Sequence, residues 1–239
     1  MTKNDINDSV LVFVPSYNDA KSLDEIVGSI SDLGERYRCL LVDDGSDPPL
    51  DLTAYGSKNL VCRLPDNIGI GFSTSVALQH ASRFGYAMVV RVDADGQHPI
   101  KRIPDLLQPI ENGTADIVAG VRANRNRYGN LPFLRSLIRK YFSLIVFFLT
   151  KGNCPSDVNT GFMALSSAAV VKLRDQEFSR FPEPELFVLA SSKRLVVTQI
   201  EVEQEEREHG ASTLTVFAAA RMIVRFTIYA VDQLLRRLG

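Results

Sequence analysis

The sequence is poor in cysteine and has no excess of charge of either sign. Its 239 residues include 3 cysteines, Cys39, Cys62 and Cys154, and none stands in a CxxC or zinc-ligand spacing. This pattern argues against a disulfide framework or a zinc site and favours reduced thiols in a cytosolic setting. With 27 basic and 28 acidic residues the net charge is -1. That balance argues against a nucleic-acid-binding protein that relies on overall basicity.

Long apolar runs are also missing. The N-terminal stretch MTKNDINDSV is polar and has no signal-peptide core. The most apolar run, YFSLIVFFL, is far shorter than the roughly 20 residues that a membrane-spanning helix needs. We therefore expect no transmembrane helix. The composition, 45% hydrophobic and 23% charged, is that of a globular protein with one large domain.

Short apolar strands alternate with amphipathic helices through the first half of the sequence. This alternation predicts an α/β fold with a mostly parallel sheet that is covered on both faces. Helices are predicted over Ser22–Leu33 and Ile70–Phe84. The predicted strands are Val10–Pro15, Arg38–Val42, Leu60–Leu64, Met88–Val92 and Ile117–Val121.

Polar clusters follow three of these strands. PSYN comes after the first strand, DDGSD after the second and DADGQH after the fourth. Ligands of parallel sheets bind outside the carboxyl ends of the strands. We therefore expect the three clusters to converge on one edge of the sheet and to form a ligand site there.

Asp93 and Asp95 of the DADGQH cluster predict a metal site. Two like charges this close repel each other unless a cation lies between them. Carboxylate oxygens are the ligands that Mg²⁺ and Mn²⁺ prefer, and Gln97 can add a neutral oxygen. His98 is expected to pack behind the acids. The alternative is a solvated turn, in which Asp and Gly are common.

Asp43 and Asp44 of the DDGSD cluster can accept hydrogen bonds from a base N–H or a ribose hydroxyl. The alternative is a helix-capping turn. The nearby segment NIGIGFSTS lacks the third glycine of a dinucleotide fingerprint, so we interpret it as a tight turn into a helix.

The second half contains two helices that combine cations with apolar surface, Phe133–Leu149 and Leu214–Leu235. Such helices suit a membrane surface. The alternative is burial in the core or in a contact between two copies, and the apolar arc of the last helix is wide enough to be mostly buried. A short helix over Ala168–Leu173 and a strand over Leu195–Val202 complete the prediction.

An ordered set of motifs resembles the family 2 glycosyltransferases of the GT-A fold, in the dolichyl- or polyprenyl-phosphate mannosyltransferase branch. The resemblance spans roughly residues 9–215. It implies a Rossmann-like GT-A catalytic domain over residues 1–212 and an amphipathic helix over 213–239. The motifs are VPSYNDAKSL, LLVDDGS, DNIGIGFSTSVALQHA, VDADGQHP, DIVAGVR, NTGFMALS and REHGAST.

The resemblance implies a nucleotide-sugar donor and assigns residues to it. Asp93, Asp95 and Gln97 would hold Mg²⁺ or Mn²⁺ on the diphosphate. Asp93 would also contact the nucleotide, with Asp43 or Asp44 on the base or ribose. The residues lining the nucleotide pocket would be Pro15, Tyr17 and Asn18.

The resemblance also assigns the basic residues. Arg207 resembles the arginine of the family's RxxGxS hairpin over the diphosphate, with Gly210 in the turn and Ser212 as a hydroxyl donor. Thr213 stands where the family often has lysine, so one basic contact is absent. Arg122 would face the phosphates. Arg135 and Arg139 would receive an acceptor phosphate, unless they only extend to solvent from a helix face.

The reaction implied is a single in-line displacement with inversion at the sugar, with Asp95 and Arg207 as catalytic residues. A phosphate acceptor is already ionised and needs no base, whereas a hydroxyl acceptor would need one. Glu183 aligns best with the family's acidic motif, and Glu185 is next. The alternative is that both glutamates only begin a helix, where negative charge is favourable.

Three functions therefore stay open. The first is transfer to a lipid-linked acceptor, at the inner face of the cytoplasmic membrane. The second is transfer to a soluble saccharide with Glu183 as base. The third is a catalytically silent GT-A scaffold.

Overall fold

The computed structural model describes residues 8–19, 22–55, 59–123, 133–179, 182–203 and 216–238. Within them, one seven-stranded sheet has the strand order β3-β2-β1-β4-β6-β5-β7. All the pairings are parallel except those of β6, which runs antiparallel to β4 and β5. The strands are β1 (Val10–Ser16), β2 (Tyr37–Asp43), β3 (Leu60–Arg63), β4 (Met88–Arg91), β5 (Ile117–Arg122), β6 (Met163–Ser166) and β7 (Val197–Val202).

Helices cover both faces of the sheet. On one face α1 and α3 enclose a core, and on the other α2, α4, α5, α6 and α7 enclose a second one. The helices are α1 (Leu23–Asp32), α2 (Ile70–Phe84), α3 (Ile103–Glu111), α4 (Phe133–Thr150), α5 (Ser167–Leu173), α6 (Pro182–Ser192) and α7 (Val216–Leu238).

Strand β1 shows why the apolar runs of the sequence are continuous. Val10, Val12 and Val14 face the core under α1 and α3, while Leu11 and Phe13 face the opposite core. Side chains alternate between the faces of a strand, so a strand buried on both faces is apolar at every position. The α/β class and the mostly parallel sheet are confirmed.

The predicted strands and helices agree with the structure to within three residues at each described end. Helix α6 was considered only as an alternative for the two glutamates, and α3 and β6 were not predicted. Helix α3 contains Pro104 and Pro109, which reduce its helical signal. Strand β6 has only four residues and inserts between β4 and β5. All three cysteines are unpaired, as expected, and burial raises the pKa of the Cys39 thiol to about 12.

The strand order brings the three polar clusters together. β2, β1 and β4 are adjacent and parallel, so the segments after them leave the sheet at the same edge. β5 runs parallel to them and ends at that edge with Arg122. Because β6 is antiparallel, the residues before it also lie at this edge. The expected convergence is confirmed.

Helices α4 and α7 pack against each other on the surface. The rings of Phe142 and Phe226 are 4.8 Å apart, and the hydroxyls of Tyr141 and Thr227 lie 2.6 Å apart. Among the described residues α7 is covered on one side only, which argues against the alternative that its apolar arc is mostly buried in the core of this chain. At least half of each of five large apolar side chains is exposed: Val224, Ile228, Val231, Leu234 and Leu235.

Helix α4 has a similar exposed surface, with Leu137, Leu144, Phe147 and Phe148 each more than half exposed. Among the described residues, no helix is both long enough and apolar enough to span a membrane.

Candidate functional site

A cavity of about 250 Å³ lies at the carboxyl edge of the sheet, between the ends of β4 and β5. Acidic side chains, Asp93, Asp95 and Asp157, line it together with two cations, Arg122 and Arg139. Four of these five residues were predicted as site residues. Opposite charges around one cavity suit a ligand that carries negative charge and binds together with a cation.

The Asp93 carboxylate is held from several sides. Its Oδ1 accepts hydrogen bonds from Nε and Nη2 of Arg91 at 3.0 and 2.9 Å. The Asp93 backbone N–H donates to Nδ1 of His98 at 3.0 Å, and the His98 ring packs on Phe162. A Cβ at Gly161 would overlap the carboxylate, so a larger residue there would force the Asp93 side chain to move. His98 therefore supports the acid, as expected.

Arg91 also binds Glu183. Its Nη2 lies 2.7 Å from Oε1 of Glu183 at the start of α6, and the Arg91 side chain is 5% exposed. Burial opposes the charged guanidinium, but the neighbouring Asp93 and Glu183 charges outweigh it and raise the pKa of Arg91. Burial raises the pKa of the Glu183 carboxyl, against the opposing charge of Arg91. Arg91 was not predicted as a site residue.

Asp95, Gln97 and Arg122 form a second group of contacts. The Gln97 backbone N–H donates to Oδ1 of Asp95 at 3.1 Å. Nη2 of Arg122 donates to Oε1 of Gln97 at 3.1 Å. The loop after β4 is thereby joined to the end of β5, across the intervening β6. The structure brings these three predicted residues together.

The donor set of this loop fits a hard divalent cation. Asp93, Asp95 and Gln97 offer oxygen atoms only, which suits Mg²⁺ or Mn²⁺. Within the described ranges no three His, Cys, Asp or Glu side chains converge on one point. That is compatible with Mg²⁺, which proteins usually bind through one or two carboxylates, with substrate phosphates and water as the other ligands.

The segment before β6 forms the opposite wall. Nη2 of Arg139 lies 2.8 Å from Oδ2 of Asp157, and Asp157 Oδ1 accepts from the Asn159 backbone N–H at 3.2 Å. Thr160 Oγ1 donates to the Gly120 carbonyl at 2.6 Å. The Asn159 side-chain Nδ2 is buried and has no hydrogen-bond partner in the described part of the chain. Sequence reasoning used the NTGF motif only for the resemblance and missed Asn159.

The predicted nucleotide residues connect two loops. The Asn18 backbone N–H donates to Ser46 Oγ at 2.9 Å, and Asn18 Oδ1 accepts from the Asp47 backbone N–H at 2.8 Å. Tyr17 is 48% exposed, whereas Pro15 is buried within β1. The first two polar clusters are thus one connected unit.

Asp43 and Asp44 are both engaged within the protein. Asp43 is fully buried, and its Oδ2 lies 2.7 Å from Nη1 of Arg63. Asp44 accepts hydrogen bonds from the backbone N–H groups of Ile68 and Gly69, at the turn into α2. Asp44 therefore stabilises the turn that leads into α2, from a segment distant in the sequence.

The remaining predicted residues differ in how far the structure describes them. Arg207 and Ser212 lie outside the described residues, as does the side chain of Arg135 at the start of α4. Glu185 is buried and its Oε2 accepts from the Ser179 backbone N–H at 2.8 Å. Burial raises the pKa of this carboxyl, and the hydrogen bond from Ser179 opposes the rise.

The comparisons with known proteins agree with this architecture. A family model described as Glycosyl transferase family 2 matches residues 11–171. The UDP-N-acetylglucosamine--dolichyl-phosphate N-acetylglucosaminyltransferase of Methanococcus voltae is 25% identical over 214 residues, 81% of this chain and 84% of that protein. The dolichol-phosphate mannosyltransferase of Pyrococcus furiosus is 31% identical over 230 residues, 90% of this chain but 63% of that protein.

Among solved structures, the glucosyl-3-phosphoglycerate synthase of Mycobacterium tuberculosis is similar in fold. Its TM-score is 0.69 at 19% identity, over 93% of this chain and 80% of that one. It was crystallised with Mn²⁺, UDP and glucosyl-3-phosphoglycerate. At this identity the likeness shows the fold alone, which confirms the predicted GT-A class.

Proposed function

Because the chain belongs to glycosyl transferase family 2 and is a glycosyltransferase, we propose that it transfers a sugar from a nucleotide sugar to a lipid-linked acceptor, such as a polyprenyl phosphate. The observation that carries this proposal is the cavity in which Asp93 and Asp95 face Arg122 and Arg139. It combines a place for a cation with two guanidinium groups for phosphate oxygens.

The donor diphosphate would bind between the two walls. Asp95, with Asp93 and Gln97, would hold Mg²⁺ or Mn²⁺, and the bound cation would neutralise negative charge on the diphosphate. The fold relative that was crystallised with Mn²⁺ and UDP supports this choice of cation and ligand. Asn18 and Tyr17 would line the nucleotide end of the site, beside the loop of Asp43.

Arg122 would stabilise the departing diphosphate. The bond from the anomeric carbon to the diphosphate oxygen breaks while an acceptor oxygen bonds to the opposite face, so the configuration inverts. Negative charge grows on the departing oxygen, and a guanidinium fixed in place stabilises it. The hydrogen bond to Gln97 fixes Arg122 beside the acids. Arg207 is proposed to add a second guanidinium.

A phosphate acceptor would bind at Arg139. It is ionised at neutral pH, so it attacks without a base. Arg139 projects into the cavity from α4, the helix that also exposes Leu144 and Phe148. A lipid carrying a phosphate could therefore place its headgroup at Arg139 and its chain along the apolar side of α4. The names of both relatives above, which act with dolichyl phosphate, support this acceptor class.

We place the protein at the inner face of the cytoplasmic membrane, as a peripheral protein. Residues 1–212 would be the catalytic domain and 213–239 the surface helix. Exposed arginines, Arg221 and Arg225, stand on α7 beside exposed Val224 and Ile228. A helix surface that mixes cations with apolar side chains binds anionic bilayers.

The proposal is tested with purified protein, a panel of nucleotide sugars and a polyprenyl phosphate in detergent. Release of nucleoside diphosphate should require both the lipid phosphate and Mn²⁺ or Mg²⁺. Asp95→Asn should abolish it, whereas Asp105→Asn, an exposed acid on α3, should not. Full activity in EDTA would disprove the metal requirement, and transfer only to saccharide hydroxyls would disprove the acceptor. The anomeric configuration of the product, read by NMR, tests inversion.

A further inference from the structure

Arg91 is a buried cation next to the site, at the last position of β4. Its side chain is 5% exposed. Arginine is almost never fully buried unless it is paired, because removing its charge from water is costly. Val89, two residues earlier, faces the core that α6 also lines. Arg91 is therefore placed between the sheet and α6, where apolar side chains would otherwise be expected.

The contacts of Arg91 join three elements. Nε and Nη2 both donate to Oδ1 of Asp93, which holds that oxygen from one side. Nη2 also lies 2.7 Å from Oε1 of Glu183, on the first turn of α6. The carboxylate also lies where a Cβ at position 161 would stand, so it depends on the missing side chain of Gly161.

The Glu183 carboxylate contacts Arg91, with Oε1 2.7 Å from Nη2 of the guanidinium. The described residues that line the cavity include Asp93 but not Glu183, and the Glu183 side chain is 13% exposed. A general base has to come within hydrogen-bond distance of the proton that it removes. The Glu183 carboxylate instead contacts a guanidinium, which stays protonated at neutral pH.

We infer that Arg91 and Glu183 are positioning residues: Glu183 orients Arg91, Arg91 fixes the Asp93 carboxylate for the cation and the diphosphate, and Glu183 takes no proton from the acceptor. The inference deepens the proposed function and rests on it for the cation. It also favours an acceptor that attacks without a base, which is the property of a phosphate.

Two variants separate positioning from proton transfer. Arg91→Lys keeps the charge but loses the planar fork that reaches both acids. We expect the Mn²⁺ affinity, measured by calorimetry with UDP present, to fall by about tenfold or more. Losses of this size are typical when a residue that orients a metal ligand is replaced. Glu183→Gln keeps the shape and the acceptor oxygen, so kcat should fall by less than about tenfold and Mn²⁺ affinity by a few-fold at most.

The opposite results overturn the inference. If Glu183 acted as a general base, Glu183→Gln would lower kcat by about 10²- to 10⁴-fold and leave the Mn²⁺ affinity unchanged. Unchanged Mn²⁺ affinity in Arg91→Lys would exclude the role of Arg91. If Arg91→Lys does not fold, Glu183→Gln still decides between the two roles of Glu183. Glu185→Gln is the matched control: it removes a buried acid from the same helix turn and should leave Mn²⁺ affinity unchanged.

A measurement without metal or substrate distinguishes failure of this inference from failure of the proposed function. Hydrogen–deuterium exchange of the segment 92–98 should be faster by about tenfold or more in Arg91→Lys than in the wild-type protein. Unchanged exchange there overturns the inference even if the enzyme uses Mn²⁺. Faster exchange supports it even if the wild-type protein binds no Mn²⁺, a result that would contradict only the proposed metal requirement.

Discussion

Arg122 at the end of β5 donates a hydrogen bond to the side chain of Gln97 in the loop after β4, at 3.1 Å. The two residues come from strands that are not neighbours in the sheet, because β6 lies between β4 and β5. The contact closes the cavity on one side and fixes the guanidinium next to the acids. It is the basis of the first prediction.

Replacing Arg122 should impair catalysis more than folding. Arg122→Met should lower kcat/KM by about 10²-fold or more, because a fixed donor to the departing diphosphate is lost. Arg122→Lys should lower kcat/KM less, since lysine keeps the positive charge but lacks the planar guanidinium. Initial-rate kinetics with the best donor checks this. Arg102→Met, an exposed arginine outside the cavity, is the control, and an equal loss there would contradict the assignment.

Adding one methyl group at Gly161 should disturb Asp93. Gly161→Ala would overlap the carboxylate, so we expect a loss of about 1–3 kcal/mol in the free energy of unfolding and weaker Mn²⁺ binding. Urea unfolding and calorimetry measure the two effects. Gly28→Ala in α1 is the control, because nothing lies within 4 Å of a Cβ there. It should stabilise the protein by about 0.4–1 kcal/mol; equal behaviour of the two variants would argue against the close approach.

Removing the Asn159 side chain should separate stability from activity. Its buried Nδ2 has no hydrogen-bond partner among the residues that the structure describes, a state that costs about 1–3 kcal/mol, and a sugar or phosphate oxygen would supply one. Asn159→Ala should therefore unfold at equal or higher urea concentration, while kcat/KM falls by about tenfold or more, the value of a lost hydrogen bond to a charged or polar ligand. A destabilised variant with normal kinetics would refute the role of Asn159.

The exposed apolar residues of α4 and α7 should bind lipid. The wild-type protein should float with vesicles that contain anionic lipid, and Phe148→Ser with Ile228→Ser should weaken this binding about tenfold or more, because both side chains leave water on binding. Val171→Ser with Val196→Ser is the control, because it removes two apolar residues elsewhere that are also more than half exposed. Concentration-dependent dimerisation of the wild-type protein without flotation would assign the surface to a second copy instead.

Local patterns were sufficient for much of the fold. The apolar runs of β1 and β4 predict buried strands, and the acids after them predict a site at one edge, because both signals lie within a few neighbouring residues. β6 could not be oriented in this way. A four-residue apolar strand has the same pattern in either direction, and its place is set by pairing with strands far away in the sequence.

The site shows the same limit. Asp93, Asp95 and Gln97 stand close together in the sequence and were predicted as one group. Arg91, which holds Asp93, was not predicted. The contact between Arg91 and Glu183 depends on how α6 packs on the sheet, and the sequence indicates for Glu183 only a base or the start of a helix. The sequence gives no signal that Arg91 belongs to the site, because a charged residue at the end of an apolar strand is usually exposed to solvent.

The antiparallel β6 has one more consequence, which concerns distance. Neighbouring strands are about 4.8 Å apart, so a strand inserted between β4 and β5 separates their ends by roughly 10 Å. If β4 and β5 were neighbours, the arginine that ends β5 would lie directly against the acids that follow β4, and the opposite charges would neutralise each other. β6 acts as a spacer of one strand width, and the gap it creates is wide enough for an anion and its counter-ion side by side.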